Sequence, residues 1–138
     1  MKDKLQELLL SQNEGVLTIT LNRPEARNAL TFEMYKNLES ICIKAGTVND
    51  QQGIRVIIIT GAGDKAFAAG TDIGQFTEFK SIDNGRDYEA EIERVITSIE
   101  TCQVPVIAAL HGAVTGGGLV IAAAAHLRLA SADVKIGM

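Results

Sequence analysis

Two glycine-rich stretches contain the residues of this sequence that are best suited to chemistry. One of them, residues 112–118, ends in three consecutive glycines, Gly116 to Gly118, directly before an apolar segment. If that segment is a helix, its first backbone N–H groups have no partner within the helix and can bind an anion or a developing oxyanion. Glycine also allows a helix to pack closely on a strand. We favour the functional interpretation, because a run of three is more than such packing usually needs.

The other stretch, residues 61–74, contains Gly61 and Gly63, with Ala66 three residues later. This spacing matches the letters of a dinucleotide-binding fingerprint. That motif also requires a helix that begins within the glycines and an acidic residue at the end of a second strand about 20 residues later. Here Gly70 adds a further glycine, and no strand precedes Asp83. A dinucleotide-binding oxidoreductase is therefore a weaker alternative, beside a simple tight turn.

Each stretch follows an apolar run that predicts a strand buried on both faces of a parallel sheet, at residues 56–60 and 106–110. Ligands of open α/β sheets bind at the carboxyl ends of the strands. The two loops can therefore converge on one site, where their backbone N–H groups would form an oxyanion hole. Each such donor lowers a reaction barrier by roughly 2.7–4 kcal/mol in known enzymes.

The remaining pattern indicates an α/β layered fold. A β-hairpin is predicted at 8–21, with its turn at 13–15, and a polar loop with Pro24 follows it. Thr31 can cap a helix whose apolar stripe contains Tyr35, Leu38, Ile41, Cys42 and Ala45. Later helices are predicted at 83–101 and 119–125, and short strands at 127–131 and 134–136. The order β-β-α-β-α-β-α-β predicts mostly right-handed crossovers.

Composition limits the possible functions. The 138 residues carry 13 Lys and Arg against 17 Asp and Glu, a net charge of −4, which argues against a basic nucleic-acid binder. Cys42 and Cys102 are too few for a disulfide framework and have no zinc-type spacing. We see neither a signal peptide nor an apolar run near the roughly 20 residues that span a bilayer. We therefore expect a cytoplasmic protein without a metal, a membrane partner or a nucleic-acid partner.

Three blocks of the sequence closely resemble the crotonase superfamily, also called the enoyl-CoA hydratase/isomerase superfamily. They are NRPEARNAL at 22–30, AFAAGTDI at 66–73 and HGAVTGGG at 111–118, in the family's order and with similar spacing. The resemblance covers nearly the whole chain and implies a spiral of ββα units. Because the sequence stops at Met138 directly after a strand, we expect residues 1–138 to be a crotonase-like core truncated at its C-terminal side, without the family's C-terminal helical region.

The resemblance also implies a substrate and a site. Family members bind acyl-CoA thioesters and stabilise a thioester enolate, and the matching oxyanion donors here are the backbone N–H groups of Thr71 and Gly117. Coenzyme A is part of that substrate, so no separate cofactor is expected. The full-length protein would form a homotrimer or hexamer. By the same resemblance, the substrate-binding residues are Ala26, Arg27, Ala69, Asp72, Ile73, Gly116 and Val120.

Val120 bears on the type of reaction. Family hydratases use two glutamates, of which the first would fall at Val120 and the second just beyond Met138. Valine cannot accept a proton, whereas family isomerases often have an apolar residue there and work with a single later carboxylate. The sequence therefore favours an isomerase-like enzyme over a two-glutamate hydratase. The alternative is an acyl-CoA-binding or assembly fragment without turnover.

Other polar residues are weaker candidates. Glu78 or Glu89 could act as a base, although a solvated helix face explains this acidic segment more simply. His111 is predicted to be structural. His126 is predicted to pair with the C-terminus of the helix that it follows.

Overall fold

The computed structural model describes residues 7–72 and 82–137, with side chains in the second range from residue 85 onward. Eight strands and three helices are assigned in these ranges. In chain order they are β1 (Leu8–Asn13), β2 (Val16–Leu21), α1 (Phe32–Lys44), β3 (Val56–Gly61), β4 (Ala66–Ala69), α2 (Ile82–Glu100), β5 (Val106–Leu110), β6 (Ala113–Thr115), α3 (Gly117–Ala124), β7 (Leu127–Ala130) and β8 (Lys135–Ile136).

The larger sheet has the order β1-β2-β3-β5-β7. Strands β1 and β2 form the predicted antiparallel hairpin, and every later neighbour in this sheet is parallel. Apolar and polar residues alternate along β2, so that Leu17, Ile19 and Leu21 enter the core while the residues between them do not. The α/β class predicted from the sequence is confirmed.

The prediction that β3 is buried on both faces is wrong for the residues described. Ile57 and Ile59 have 0% exposure, but Ile58 between them is only partly buried. The same alternation occurs in β5, where Val106 and Ala108 are buried and Ile107 is not fully covered. In β3 and β5, an unbroken apolar run therefore does not show which face of the strand is buried.

A second sheet has the order β4-β6-β8, and both of its neighbouring pairs are parallel. Strands β4 and β6 lie inside the two stretches that the sequence predicted to be loops, at 61–74 and 112–118, so those predictions need correction. Segments of three or four residues between glycines are too short to show a strand periodicity. Each glycine-rich stretch thus contains one short strand, and these two strands pair in parallel.

The helices start and end close to the predicted positions. The Thr31 Oγ1 accepts a hydrogen bond from the Met34 N–H at 3.1 Å, which confirms Thr31 as the N-cap of α1. Helix α2 confirms the predicted second helix. Helix α3 begins at Gly117, two residues before the predicted start, because Gly117 and Gly118 are themselves helical. None of the helices in the described ranges is long and apolar enough to cross a membrane.

Candidate functional site

Thr71 lies directly beside the start of helix α3. The parallel pairing of β4 with β6 brings together the two loops that follow these strands, and the Gly70 N–H donates to the Thr115 carbonyl at 2.9 Å. A Cβ built on Gly117 would come within 2.7 Å of Thr71 Oγ1. The convergence of the two loops that the sequence predicted is therefore present in the structure.

The backbone around Thr71 sets the direction of its N–H group. The neighbouring residues bond to Leu30, since the Leu30 N–H donates to Gly70 O at 3.1 Å and the Asp72 N–H donates to Leu30 O at 2.9 Å. Successive N–H groups of an extended segment point to opposite sides, so the Thr71 N–H points away from Leu30. No backbone carbonyl among the described residues accepts from it.

Each of the three glycines of the second loop packs closely against a neighbouring residue. Gly116, the N-cap of α3, has φ 51°, and a Cβ there would lie 2.8 Å from the Gly70 Cα. A Cβ on Gly117 would overlap the Tyr35 hydroxyl, and one on Gly118 would overlap the Ala68 carbonyl oxygen. The expectation that a run of three exceeds packing needs is therefore wrong, because each glycine has its own close neighbour. Gly117 is still the first residue of a helix, where an N–H has no partner within the helix.

A cluster of hydroxyl groups lies against Gly117, and no sequence pattern predicted it. The Tyr35 hydroxyl and Thr71 Oγ1 are 3.0 Å apart, and Tyr35 is 1% exposed. Burial raises the pKa of Tyr35 to about 12. The Tyr88 ring packs edge-on against the Tyr35 ring, with ring centroids 6.2 Å apart. Sequence periodicity placed Tyr35 on the apolar face of α1, where its ring does lie, but could not show where its hydroxyl points.

The carboxylate of Asp72 ties the first loop to the segment before α1. Its Oδ2 accepts from Arg23 Nη2 at 3.1 Å, and Arg23 Nη1 donates to the Ala29 carbonyl at 2.6 Å. Asp72 and Arg23 keep 31% and 18% of their side-chain area exposed, respectively. The ion pair therefore holds the loop in place from the edge of the site.

Asn28 is a second organising residue that the sequence reasoning did not single out. It is fully buried and has φ 58°. Its Nδ2 donates to the carbonyls of Ala62 and Ala66 at 3.0 and 2.9 Å, while its Oδ1 accepts from the Arg23 N–H at 2.8 Å. Asparagine adopts the left-handed backbone region more readily than most residues, which is the one signal that the sequence offered.

A cavity of about 220 Å³ opens beside Asn28. It lies between the 3-10 turn Pro24–Ala26 and the loop after β3, and two cationic side chains, Arg27 and Lys65, contribute to its wall. Its lining residues are Pro24, Arg27, Asn28, Ala62, Gly63, Asp64, Lys65 and Ala66.

The other predicted substrate-binding residues are distributed around the two loops. Ala26 ends the 3-10 turn, and Ala69 ends β4, where its N–H donates to the Arg27 carbonyl at 2.9 Å. Val120 lies one turn into α3, partly buried, and its N–H donates to the Gly116 carbonyl at 3.1 Å. Ile73, together with the candidate base Glu78, lies outside the described residues.

Glu89 is exposed on α2, consistent with a solvated helix face. Across the described ranges, no group of three or more His, Cys, Asp and Glu side chains is arranged to hold a metal ion.

Both histidines bond to backbone groups. His111 Nε2 lies 2.9 Å from the Gly63 carbonyl oxygen. His126 Nδ1 accepts from the Val106 N–H at 2.9 Å, and its Nε2 lies 3.0 Å from the carbonyl of Glu100, the last residue of α2. His126 therefore pairs with the end of α2, and the prediction that it serves the helix it follows is wrong. Arg128 does so instead, since it donates to the Ala125 carbonyl at 2.8 Å.

The dinucleotide alternative does not fit the described backbone. Residues 62–65 after β3 form a bend that leads into β4 rather than into a helix. A pyrophosphate-binding fingerprint needs a helix N-terminus at that point.

Comparison with known proteins assigns the family. The family model described as enoyl-CoA hydratase/isomerase matches residues 11–138. The short-chain-enoyl-CoA hydratase of Clostridium acetobutylicum is 34% identical over 134 residues, which cover 97% of this chain and 50% of that protein. The mitochondrial 3-hydroxyisobutyryl-CoA hydrolase of Gallus gallus is 34% identical over 138 residues, which cover 99% of this chain and 35% of that protein.

Among solved structures, the enoyl-CoA hydratase of Bacillus anthracis matches with a TM-score of 0.84 and 30% identity, over 96% of this chain and 50% of that one. The chain spans half or less of the length of these three relatives. An α/β core with two converging loops, matched in sequence and in fold, defines a crotonase-type domain. The chain belongs to the enoyl-CoA hydratase/isomerase family.

Proposed function

We propose that the protein acts on an acyl-CoA thioester and stabilises the thioester enolate with the N–H groups of Thr71 and Gly117. One observation carries this proposal, namely the contact between Thr71 and Gly117 at the first turn of α3. The Thr71 N–H points away from Leu30, and the Gly117 N–H begins a helix, so neither is used by regular secondary structure.

The N–H groups would act on the negative charge that develops on the thioester carbonyl oxygen. When a proton leaves the carbon next to a thioester, negative charge develops on the carbonyl oxygen. Backbone donors that are already fixed stabilise this charge without any ordering of side chains during the reaction. Removing one donor of this kind costs about 10²–10³-fold in turnover in known enzymes.

Binding of the coenzyme A portion is the second part of the proposal. Arg27 and Lys65 line the cavity of about 220 Å³ beside Asn28, and both side chains are exposed. Guanidinium and ammonium groups favour phosphate oxygens as partners. We assign this cavity to the phosphate-bearing end of coenzyme A, with Ala26, Ala69, Asp72 and Ile73 along the path to the thioester.

The reaction itself is proposed to be isomerase-like. Val120 lies one turn after the N-cap Gly116, where a valine side chain supplies no proton acceptor. A double-bond shift needs only one base that moves a proton between two carbons, whereas hydration must also activate a water molecule. Acyl-CoA binding without turnover is the second candidate, which the apolar side chain of Val120 also favours.

The products distinguish these possibilities. The protein at its full natural length would be supplied with a short-chain 3-enoyl-CoA and, separately, with a 2-enoyl-CoA. We expect the 3-enoyl-CoA to be converted to the conjugated 2-enoyl-CoA. Efficient formation of 3-hydroxyacyl-CoA would show a hydratase instead, and binding without any product would support the second candidate.

The N–H of Gly117 can be tested with two matched variants. Gly117→Pro removes the N–H, and Gly117→Ala keeps it, while both add a Cβ that meets the Tyr35 hydroxyl. Proline is tolerated at the first position of a helix, so the comparison isolates the hydrogen-bond donor. We expect kcat of the proline variant to be at least roughly 10²-fold below that of the alanine variant. Equal kcat values in two folded variants would refute the role of this N–H.

A further inference from the structure

We propose that Tyr35 is a positioning residue, whose hydroxyl bonds to Thr71 Oγ1 and thereby holds the Thr71 backbone against Gly117. This inference rests on the proposed function, because the position of Thr71 matters only if its N–H binds the substrate oxygen. The carrying observation is that two hydroxyl oxygens, 3.0 Å apart, occupy the space where a Cβ of Gly117 would lie.

Tyr35 is well suited to fix another group, because it is itself immobilised. It lies in the first turns of α1, and its N–H donates to the carbonyl of the N-cap Thr31 at 3.2 Å. Its ring is 1% exposed and packs edge-on against Tyr88, which stacks on Phe32 with ring centroids 5.6 Å apart. The hydroxyl therefore has a defined position relative to helix α1.

Thr71 is held differently. Its neighbours bond to Leu30 through the backbone, but that bridge is a single isolated pair rather than part of a longer strand. A single pair leaves the peptide plane able to tilt, and a tilt turns the N–H away from its target. The neighbouring residues are also held by the Gly70 N–H bond to Thr115 and by the Asp72–Arg23 ion pair, and the Tyr35 bond holds the Thr71 side chain itself, where it faces Gly117.

The chemistry of the pair is that of a neutral hydrogen bond. Burial raises the pKa of Tyr35 to about 12, so the phenol stays protonated at the pH at which such an enzyme would work. A neutral bond contributes modestly to stability, but it has a well-defined length and direction. Because Tyr35 is buried behind Gly117, it acts through Thr71 and does not itself touch the substrate.

The test removes the bond from either side. Tyr35→Phe keeps the ring packing and removes one hydroxyl, and Thr71→Val keeps the branched shape and removes the other. We expect each variant to lower kcat about 3–10-fold with KM changed less than about twofold. The reason is that a displaced Thr71 N–H weakens a bond to the substrate oxygen that is made mainly in the transition state. The double variant should lose no more than the larger single loss, since both changes break the same bond.

Two control variants separate positioning from a general structural effect. Thr71→Ser keeps an Oγ and should lose much less kcat than Thr71→Val. Thr60→Val removes another hydroxyl bond between elements, from Thr60 Oγ1 to the Ala109 carbonyl at 3.1 Å, and should leave kcat unchanged.

The outcomes distinguish this inference from the proposed function. Suppose that the wild-type protein turns over enoyl-CoA. If folded Tyr35→Phe and Thr71→Val then both have the wild-type kcat, this inference is overturned and the proposed function is not. Additive losses in the double variant also overturn this inference. If the wild-type protein does not turn over enoyl-CoA, or if the two Gly117 variants have equal kcat values, the proposed function fails and this inference fails with it.

Discussion

The two loops of the candidate site are held in place by different means. The first, at residues 70–72, has backbone bonds to Leu30 and Thr115 and two further side-chain links, the Asp72–Arg23 ion pair and the Thr71–Tyr35 hydroxyl pair. The second, at residues 116–118, leaves no room for a Cβ at any of its three glycines. Backbone atoms lie nearest at Gly116 and Gly118, and the Tyr35 and Thr71 hydroxyls lie nearest at Gly117. The first loop should therefore respond to substitution in a graded way, whereas the second should tolerate almost no added atom.

The largest expected effect is at Gly118. A Cβ there would overlap the Ala68 carbonyl oxygen, and a strand backbone cannot move aside as a flexible side chain can. We expect Gly118→Ala to lower the free energy of unfolding by about 3 kcal/mol or more, measured by chemical denaturation.

Gly85→Ala is the matched control for this substitution. Gly85 lies within α2, and no atom of the described residues would lie within 4 Å of its Cβ. Removing a glycine from a helix should stabilise by roughly 0.5–1 kcal/mol. A Gly118→Ala protein as stable as the wild type would contradict the contrast between the loops.

Asn28 should show the next largest effect, because its buried side chain ties Arg23 to the segment between β3 and β4 that precedes the first loop. Asn28→Ala leaves the carbonyls of Ala62 and Ala66 without their side-chain donor and places alanine at φ 58°. We expect a loss of about 2–4 kcal/mol in the free energy of unfolding.

Asn28→Gly sharpens this prediction. It removes the same hydrogen bonds but accepts the left-handed backbone, at the cost of roughly 0.5–1 kcal/mol from the greater entropy of the unfolded chain. We expect Asn28→Gly to be more stable than Asn28→Ala, because the relief of strain exceeds this cost. A glycine variant less stable than the alanine variant would show that the left-handed backbone contributes little strain at this position.

The smallest expected effect concerns pH and the Tyr35 hydroxyl. Because burial raises the pKa of Tyr35 to about 12, the folded protein keeps this proton above pH 10, whereas the unfolded chain loses it. The stabilising contribution is thus fully present below about pH 10 and declines as pH rises toward 12, by about 1.4 kcal/mol per pH unit.

Tyr35→Phe should remove that part of the alkaline decline. Denaturation curves from pH 9 to 11.5 for both proteins would measure it, while Tyr88, whose pKa burial also raises, remains in both. Parallel stability curves across this range would show that the Tyr35 hydroxyl is not shielded as described.

The sequence predicted the parts of the fold that depend on local pattern. Alternation along β2, the apolar run of β3 and the Thr31 cap each have a periodicity or a capping residue that acts over a few neighbours. Strands β4 and β6 were missed, since segments of three or four residues carry too little pattern and pair only with each other and with β8.

The site likewise has parts that the sequence predicted and parts that depend on tertiary contacts. The sequence predicted the proximity of Thr71 and Gly117 from the ends of the strands at 56–60 and 106–110 and from the family resemblance, whereas the structure brings them together through β4 and β6. The roles of Asn28 and Tyr35 did not follow, because each depends on groups 34–38 residues away along the chain. The close neighbour of each glycine, such as Ala68 at Gly118, is likewise a tertiary contact that residue type does not disclose.

A crystal structure of the full-length protein with a bound acyl-CoA would show whether Thr71 and Gly117 form the oxyanion hole. If they do, the thioester carbonyl oxygen will lie about 2.7–3.1 Å from both backbone nitrogens. A carbonyl oxygen held by other groups, or within reach of only one of these two nitrogens, would contradict this role.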